Sequence, residues 1–552
     1  MFLSQLHPTR WLAIIGAIVL FLVVLSGRVR YTSGDSRYAL LASQAILEHG
    51  TWRLDDYAYE YSLREMNHGA LWTVYNDPRS HHIYYNYAVG SSIFALPVVA
   101  LARAMGSIPA DRGYDEDLQI FIAATILAIM LLLMFRMALL YLDDWAALVF
   151  TLLIMFGTSL ASTLGTALWS ADFTTLFVLI VLLELAEYEQ GKREKVRGMW
   201  TGLWLFSAYI CRPTTMFFAF AVLAYLAWKQ RQSLWGALSV CGGLFLLFML
   251  WSWLEMGKWL PWYYQPGARK PMGDYGQNLR AVLVGPARGL FSFTPALGIG
   301  FLGWAFARRR RDPLFLAIWL WFALHVGMVL RASDPWGGWC YGPRYFAETI
   351  PGLALALLMT FKSIESTRER IRNAVGGLFM VLSCFGVFVH TWQGLYHPDT
   401  IAWNDHPSVN EAWACVRWDW RYPQFLASPH QLAARKREND MGPGIAAQLD
   451  QVPAGGALLA GTPDAVTREI FRYWNRHDVL HKGKPVFNSV AAISKAGFID
   501  FWYHRSLGPM LEKDWRVRLE APKEDRTLGP DSTMDSLPPL LHATILPEAR
   551  KR

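Results

Sequence analysis

Over its first 391 residues the chain alternates between long apolar runs and short polar, often basic, interruptions; beyond them it turns polar. The apolar runs occupy residues 11–27, 119–140, 145–163, 172–188, 198–211, 214–229, 234–253, 293–307, 313–331, 346–362 and 374–391. They are too long for strands and lack a period of two. At ~1.5 Å per residue they approach the ~30 Å apolar core of a bilayer, the shorter ones with tilt. The pattern predicts an all-α polytopic membrane protein of about eleven transmembrane helices. No small-residue cleavage site follows the first run, so it is read as a membrane helix rather than a signal peptide.

Basic runs set the sidedness. Gly191–Arg197, Lys229–Arg231, Arg308–Arg311 and Lys362–Arg372 belong in the cytoplasm by the positive-inside rule. Counting spans back from them places residues 28–118, 163–172, 254–292, 332–345 and everything beyond 391 on the outer face. The turn Leu142–Asp144 becomes cytoplasmic although acidic, which the rule tolerates. A further apolar run, 87–105, cannot cross under this parity; with Gly90 and Pro97 inside it, it is expected to lie as an interfacial helix. The chain thus divides into a transmembrane domain, 1–391, with a long first loop, 28–118, and a periplasmic C-terminal region, 392–552. That region has turns at Gly442-Pro-Gly444 and Pro453–Gly456 and reads as small α/β or partly disordered.

Composition agrees. Charged residues make up 17% of the 552, against about a quarter in soluble proteins. The 26 Trp suit membrane interfaces. The net charge of +8 would suggest nucleic acid in a soluble protein, but here the cations flank apolar runs. Cys211, Cys241 and Cys384 fall in apolar runs; Cys340 and Cys415 fall outside the cytoplasm, where a disulfide is open to them. No cysteine spacing resembles a zinc site, and no phosphate-loop, nucleophile-elbow or dinucleotide motif stands in a suitable context. There is also no soluble cytoplasmic domain for a nucleotide-sugar enzyme.

Ionisable groups at a membrane mouth cost desolvation and call for a reason. Asp35, in Gly34-Asp-Ser-Arg-Tyr38, opens an expected helix from Ser36 to Glu48. It is either that helix's N-cap or a general base. Asp172, in Trp169-Ser-Ala-Asp172, is either a second cap or an acid that orients a sugar hydroxyl or binds a metal. Arg212, between apolar runs and before Pro213, either snorkels or pairs with a phosphate. The segment Trp336-Gly-Gly-Trp-Cys-Tyr-Gly-Pro-Arg344-Tyr345 leads to Glu348. It is either an interfacial belt with an Arg344–Glu348 pair at i,i+4 or a rigid turn that presents Arg344 to a lipid phosphate. Arg269, Lys270, Arg280 and Arg288 add cations to the third outer loop. His81 and His82 are adjacent and cannot share one helical face, which makes a poor metal site.

In this layout the chain resembles the GT-C glycosyltransferases: protein O-mannosyltransferases, aminoarabinose transferases and oligosaccharyltransferase catalytic subunits. The resemblance covers about residues 8–391. It is carried by Gly34–Tyr38 with Gly50-Thr-Trp52, by Tyr84–Gly90 followed by Pro97, by Trp169–Asp172, by Arg212-Pro213 and by Trp336–Tyr345. It implies a polyprenyl-phosphate sugar donor and inverting transfer to an envelope glycan, lipid or protein. The place would be the periplasmic face of a bacterial inner membrane. It further implies Asp35 and Asp172 as catalytic acids, Arg212, Arg288 and Arg344 on the donor phosphate, and Arg37, Tyr85, Tyr345 and Glu348 on substrate. The family's paired acids are reduced here to Asp35 followed by Ser36-Arg37, so no cofactor is expected to be required, a divalent metal being the possible exception. Two rivals stand beside this reading. One is a lipid or polysaccharide transporter, which would show internal symmetry and charges deep within spans. The other is a non-catalytic envelope assembly protein.

Overall fold

The computed structural model describes residues 7–32, 34–57, 73–77, 80–107, 112–265, 275–332, 334–405, 408–410 and 413–436, and strand segments between 456 and 545. Arg269, Lys270, the turn at 442–444 and the side chain of Cys415 lie outside the described residues. The chain forms two compact units: 1–401 with 424–426, and 402–423 with 427–552.

The first unit is helical. In order it comprises α1 (Pro8–Leu25), α2 (Ala39–His49), the hairpin β1 (Val74–Asn76) and β2 (Ile83–Tyr85), α3 (Val89–Ala104), α4 (Arg112–Ala138), α5 (Asp144–Phe156), α6 (Ser159–Ser162), α7 (Ser170–Glu189), α8 (Gly198–Cys211), α9 (Met216–Lys229) and α10 (Arg231–Met256). There follow α11 (Tyr275–Val284), α12 (Leu290–Phe293), the 3-10 segment Pro295–Ala305, α13 (Ala307–Arg310), α14 (Pro313–Arg331), the 3-10 turn Arg344–Thr349, α15 (Ile350–Ile364) and α16 (Glu369–Val387).

Every predicted apolar run is helical, and seven stretches among the described residues are long and apolar enough to cross a membrane. The chain is a multi-pass membrane protein. The expected spans missing from those seven fall short for physical reasons. Helices α8 and α9 have 14 residues each because Arg212-Pro213 ends one and begins the next. The segment Pro295–Ala305 is a 3-10 helix of 11 residues. Helix α7 is long enough but carries Asp172, Glu184, Glu187 and Glu189.

Those α7 acids are paired. Glu184 meets Arg197 at 3.1 Å, Glu187 meets Arg136 at 2.5 Å and also Arg193, and Glu189 accepts from Tyr225 at 2.6 Å. Much of the basic run 191–197 is therefore neutralised within the protein, rather than standing free as a topology signal alone.

Contacts test the parity argument directly. At one end of the bundle, His7 and Thr9 meet Asp144, joining the N-terminus to the turn after α4. At the other end, two of the segments predicted to share a face, the first loop and the 254–292 loop, touch each other. Arg53 of the first loop pairs with Glu255 at 2.8 Å, and Lys258 reaches Tyr75 and Asp77 at 2.9 and 3.3 Å. Tyr264 accepts from the Val89 amide at 3.1 Å and donates to the Ile210 carbonyl. Helix α3 also keeps to this face: its start meets Tyr264, and near its end Arg103 pairs with Glu48 of α2 at 2.7 Å. Both ends on one side is what a non-crossing helix requires. His82, once considered for a metal, binds Asp55 at 2.8 Å.

In the second unit, β3 (Gly456–Leu459), β4 (Leu480–His481), β5 (Lys484–Pro485), β6 (Val490–Ile493), β7 (Ile499–His504) and β8 (Leu540–Ile545) are strands. They form an antiparallel sheet in the order β3-β6-β7-β8 and a separate β4-β5 pair. In the same unit Arg435 lies over the Trp403 ring at 3.9 Å.

Helices α8 and α10 approach closely through small residues, as membrane helices do where packing must substitute for the hydrophobic effect. A Cβ at Gly202 would stand 2.5 Å from the Ala237 carbonyl, whereas Gly242 on α10 faces open space. Gly202→Leu is expected to cost about 1–3 kcal/mol through overpacking, while Gly242→Ala is tolerated. Thermal unfolding of the two variants in detergent checks this.

Candidate active site

The site begins with how Asp35 is held. The chain leaves α1 and runs beside the α6–α7 connection: the Tyr31 amide donates to Thr166 at 2.9 Å. Gln119 of α4, fully buried, donates to the Ser36 carbonyl at 3.2 Å and accepts from the Leu168 amide at 3.2 Å. One side chain thus fixes the start of the first loop against the segment leading to Trp169. The Asp35 carbonyl accepts from Tyr85, at the end of the hairpin. Burial, and then the negative charge of Asp35, push the Tyr85 phenol well above its ordinary pKa. It therefore stays protonated and donates.

Helix α2 starts at Ala39 with Tyr38 as N-cap, so Asp35 caps nothing. Its carboxylate pairs instead with Arg344, Oδ2 to Nη2 at 2.5 Å, and Asp35 is 5% exposed. The guanidinium also lies over the Trp169 ring at 4.1 Å. An aromatic face and a carboxylate together hold the cation in a desolvated place.

The Arg344 side of the pair is rigid for separate reasons. Gly337, Gly338 and Gly342 adopt φ of 79°, 71° and 59°, a region that side-chain-bearing residues avoid. Arg288 pins this turn: it donates to the carbonyls of Trp336 at 3.0 Å, Ala287 at 2.9 Å and Gly338 at 3.4 Å, and to Gln424. Gln424 in turn bonds the Gly342 amide and the Cys340 carbonyl at 3.0 and 2.9 Å. Arg288 is 1% exposed, and its role here is to build the turn rather than to face a ligand. Cys340 is a free, buried thiol.

Glu348 does not pair with Arg344. The stretch Arg344–Thr349 is a 3-10 helix, with about three residues per turn, so positions four apart do not share a face. Glu348, fully buried, takes Arg212 at 2.9 Å, Thr214 at 2.6 Å and His325 at 3.4 Å. The Tyr345 ring lies between the two ion pairs, with Arg212 at 5.5 Å and Arg344 at 5.7 Å from its centroid, while its hydroxyl donates to Asp334 at 3.1 Å. The result is a continuous run of Asp35, Arg344, Tyr345, Arg212 and Glu348.

Two expected residues stand apart from this run. Asp172 is the third residue of α7, not its cap; it is fully buried, and neither carboxylate oxygen has a hydrogen-bond partner among the described residues. Among the described residues no hydrogen bond or ion pair joins it to Asp35 or Arg344. Arg37 turns to the Tyr38 ring at 5.2 Å and has no acidic partner among the described residues. Trp169, His325 and Thr214 belong to the site but were not singled out as site residues in the sequence. His325 alone gave a signal, as an ionisable side chain inside an apolar span.

Neither a family model nor a curated protein matches the sequence. Eight chains of solved structures do match. The Archaeoglobus fulgidus oligosaccharyltransferase in its apo form is 13% identical, with a TM-score of 0.43; the match covers 75% of this chain and 60% of that one. This chain therefore spans about 60% of the length of that protein. ArnT from Cupriavidus metallidurans in the apo state is 12% identical, also with a TM-score of 0.43, over 98% of both chains.

Removing one member of a buried pair leaves the other charged and uncompensated, at about 3–5 kcal/mol. Glu348→Ala is expected to lower stability by that order, and the double change Arg212→Met with Glu348→Leu to recover most of it. Thermal melts of both variants provide the measurement.

Proposed function

We propose that the chain is an inverting glycosyltransferase of the GT-C kind. It moves a sugar from a polyprenyl-phosphate donor to a cell-envelope glycan, lipid or protein, at the periplasmic face of a bacterial inner membrane. The observation that carries this reading is the Asp35–Arg344 pair at 2.5 Å, with the cation of Arg37 two residues along and facing no acid among the described residues.

The charges support it. In the run from Asp35 to Glu348 the two acids are matched by the guanidiniums of Arg344 and Arg212, Asp334 stands at the Tyr345 hydroxyl, and Arg37, outside the run, places a further cation two residues from Asp35. The Arg37 guanidinium suits an incoming phosphate. While it is paired with Arg344, the Asp35 carboxylate is occupied by the guanidinium and does not face an acceptor hydroxyl. A phosphate that engages Arg344 and Arg37 draws the guanidinium toward itself and frees Asp35 to act.

The step is then a displacement at the anomeric carbon. The acceptor hydroxyl oxygen forms the new bond, its proton passes to Asp35, and the sugar–phosphate C–O bond breaks with its electron pair leaving on the lipid phosphate. Attack opposite the leaving group inverts the centre. Arg344 and Arg37 stabilise the charge that grows on the phosphate, the kind of preorganised contribution that dominates many enzymes. Tyr345 and Glu348 hold the guanidiniums in place, and Tyr85 fixes the backbone of the base. A divalent cation does not fit this arrangement. Asp35 faces a guanidinium, and among the described residues no three His, Cys, Asp or Glu side chains gather around a common point.

Purified protein given radiolabelled polyprenyl-phosphate sugars and candidate acceptors is expected to release the lipid phosphate. Asp35→Asn should lower that turnover about 10²–10⁴-fold, the variant still folding cooperatively though with a lower melting temperature, because Arg344 loses its partner. Arg37→Gln should weaken donor affinity about tenfold, as for loss of one charged hydrogen bond. Full turnover in the Asp35 variant would remove the base assignment. A transporter or an assembly protein would release no lipid phosphate at all.

A further inference from the structure

A second feature lies well away from Asp35. Between α9, the end of the segment Pro295–Ala305 and α14 is a cleft of about 480 Å³. Its lining is aromatic and apolar and includes Tyr225, Trp228, Trp304, Pro313, Trp319 and Leu320. Trp228 is 68% exposed, Trp304 37% and Leu320 42%, so the cleft opens on the outside of the bundle, where lipid chains lie.

The three walls end together. Trp228 is in the last turn of α9, Trp304 is in the last turn of its 3-10 helix, and Pro313 is the first residue of α14. At that end the chain carries Arg231 just past α9, and Arg308, Arg310 and Arg311 between Trp304 and Pro313. All four are exposed, and none has an acidic partner among the described residues. Arg309, by contrast, is buried and paired with Asp312 at 2.8 Å. Trp228 lies twelve residues along α9 from Met216, which places the cleft's mouth ~18 Å from the end that carries the Arg212 turn.

A third observation comes from within the cleft. Trp319 is 7% exposed, and its buried indole N–H has no acceptor among the described residues. It stands six residues along α14 from Pro313, or ~9 Å of helix. A donor at that depth below a cluster of cations matches the ester carbonyls of a glycerophospholipid whose phosphate sits at the cations.

We infer that this cleft is a binding site for one anionic glycerophospholipid of the surrounding bilayer. Its acyl chains lie against Trp228, Trp304 and Leu320, its ester region meets Trp319, and its headgroup meets Arg308, Arg310 and Arg311. A basic run that served only to set topology would attract the anionic leaflet diffusely. The aromatic cleft and the unsatisfied donor make the contact local and saturable. The site is separate from Asp35 and stands whether or not the chain is a transferase.

Native mass spectrometry of the full chain in detergent, titrated with phosphatidylglycerol or phosphatidylcholine, tests it. Phosphatidylglycerol is expected to fill one saturable site with at least about tenfold preference. The triple change Arg308→Gln, Arg310→Gln and Arg311→Gln should abolish that preference, the corresponding triple Lys variant should keep it, and thermal melts should show both folded. Trp319→Phe should weaken both lipids several-fold and leave the preference intact. Equal affinity for the two lipids, binding that does not saturate, or a triple Gln variant that keeps the preference would each overturn the assignment.

Discussion

The arrangement of the end expected to face outward depends on one ion pair, Asp35 with Arg344, which joins residues 309 positions apart in sequence. It is nearly sealed from solvent, and a sealed pair is stable only when geometry and neighbours repay the lost hydration. Here the neighbours do so in specific ways. Trp169 supplies an aromatic face to the guanidinium. Gln119 and Tyr85 fix the backbone on either side of the carboxylate. The left-handed turn and Arg288 fix the segment that delivers Arg344. Each support comes from a different stretch of chain, so the first loop, the α6–α7 connection and the turn after α14 are ordered together.

The two ends of the helical unit use charge differently. At the outer end, the two ion pairs are bridged by the Tyr345 ring, and the bridging contacts are guanidinium on aromatic. At the opposite end, Glu184 and Glu187 of α7 share Arg136, Arg193 and Arg197 in a crowded lattice, and Glu189 takes the Tyr225 hydroxyl of α9. A lattice of that kind ties three helices and the α7–α8 connection at once and has many ways to redistribute a lost contact. The outer run has few, and it is the place where a bound anion changes the balance most.

The helices were legible because long apolar runs leave little choice of structure in a bilayer. The gathering of the first and third loops at one end was legible too, since the parity argument from Arg308–Arg311 and its counterparts puts them on one side without any knowledge of packing. Asp35 and Arg344 were visible as charges that needed a reason. Their pairing was not, and the expected partner of Arg344 failed on a local detail. An i,i+4 argument assumes 3.6 residues per turn, and the 344–349 stretch has three. Arg288 looked like a free cation because its principal ligand, Gln424, arrives 136 residues later from beyond the last span. Asp172 looked like a helix cap because the sequence gives residue type but not register; the helix begins two residues earlier, at Ser170. The strands beyond residue 455 leave weak periodicity in short segments, which is where pattern reading has least to work with.

The break at Arg212-Pro213 leaves α8 and α9 with 14 residues each, or ~21 Å, against a hydrocarbon thickness of ~30 Å. Such hydrophobic mismatch is relieved either by thinning of the bilayer around the pair or by sinking of the turn beneath the headgroup plane. In both cases Arg212, and Tyr345 stacked on it, stand several ångströms deeper than the polar boundary elsewhere on that side. The cation at that depth is matched inside the protein, since Arg212 is buried against Glu348, so the short helices place a neutral, aromatic-capped pair rather than a bare charge below the headgroups.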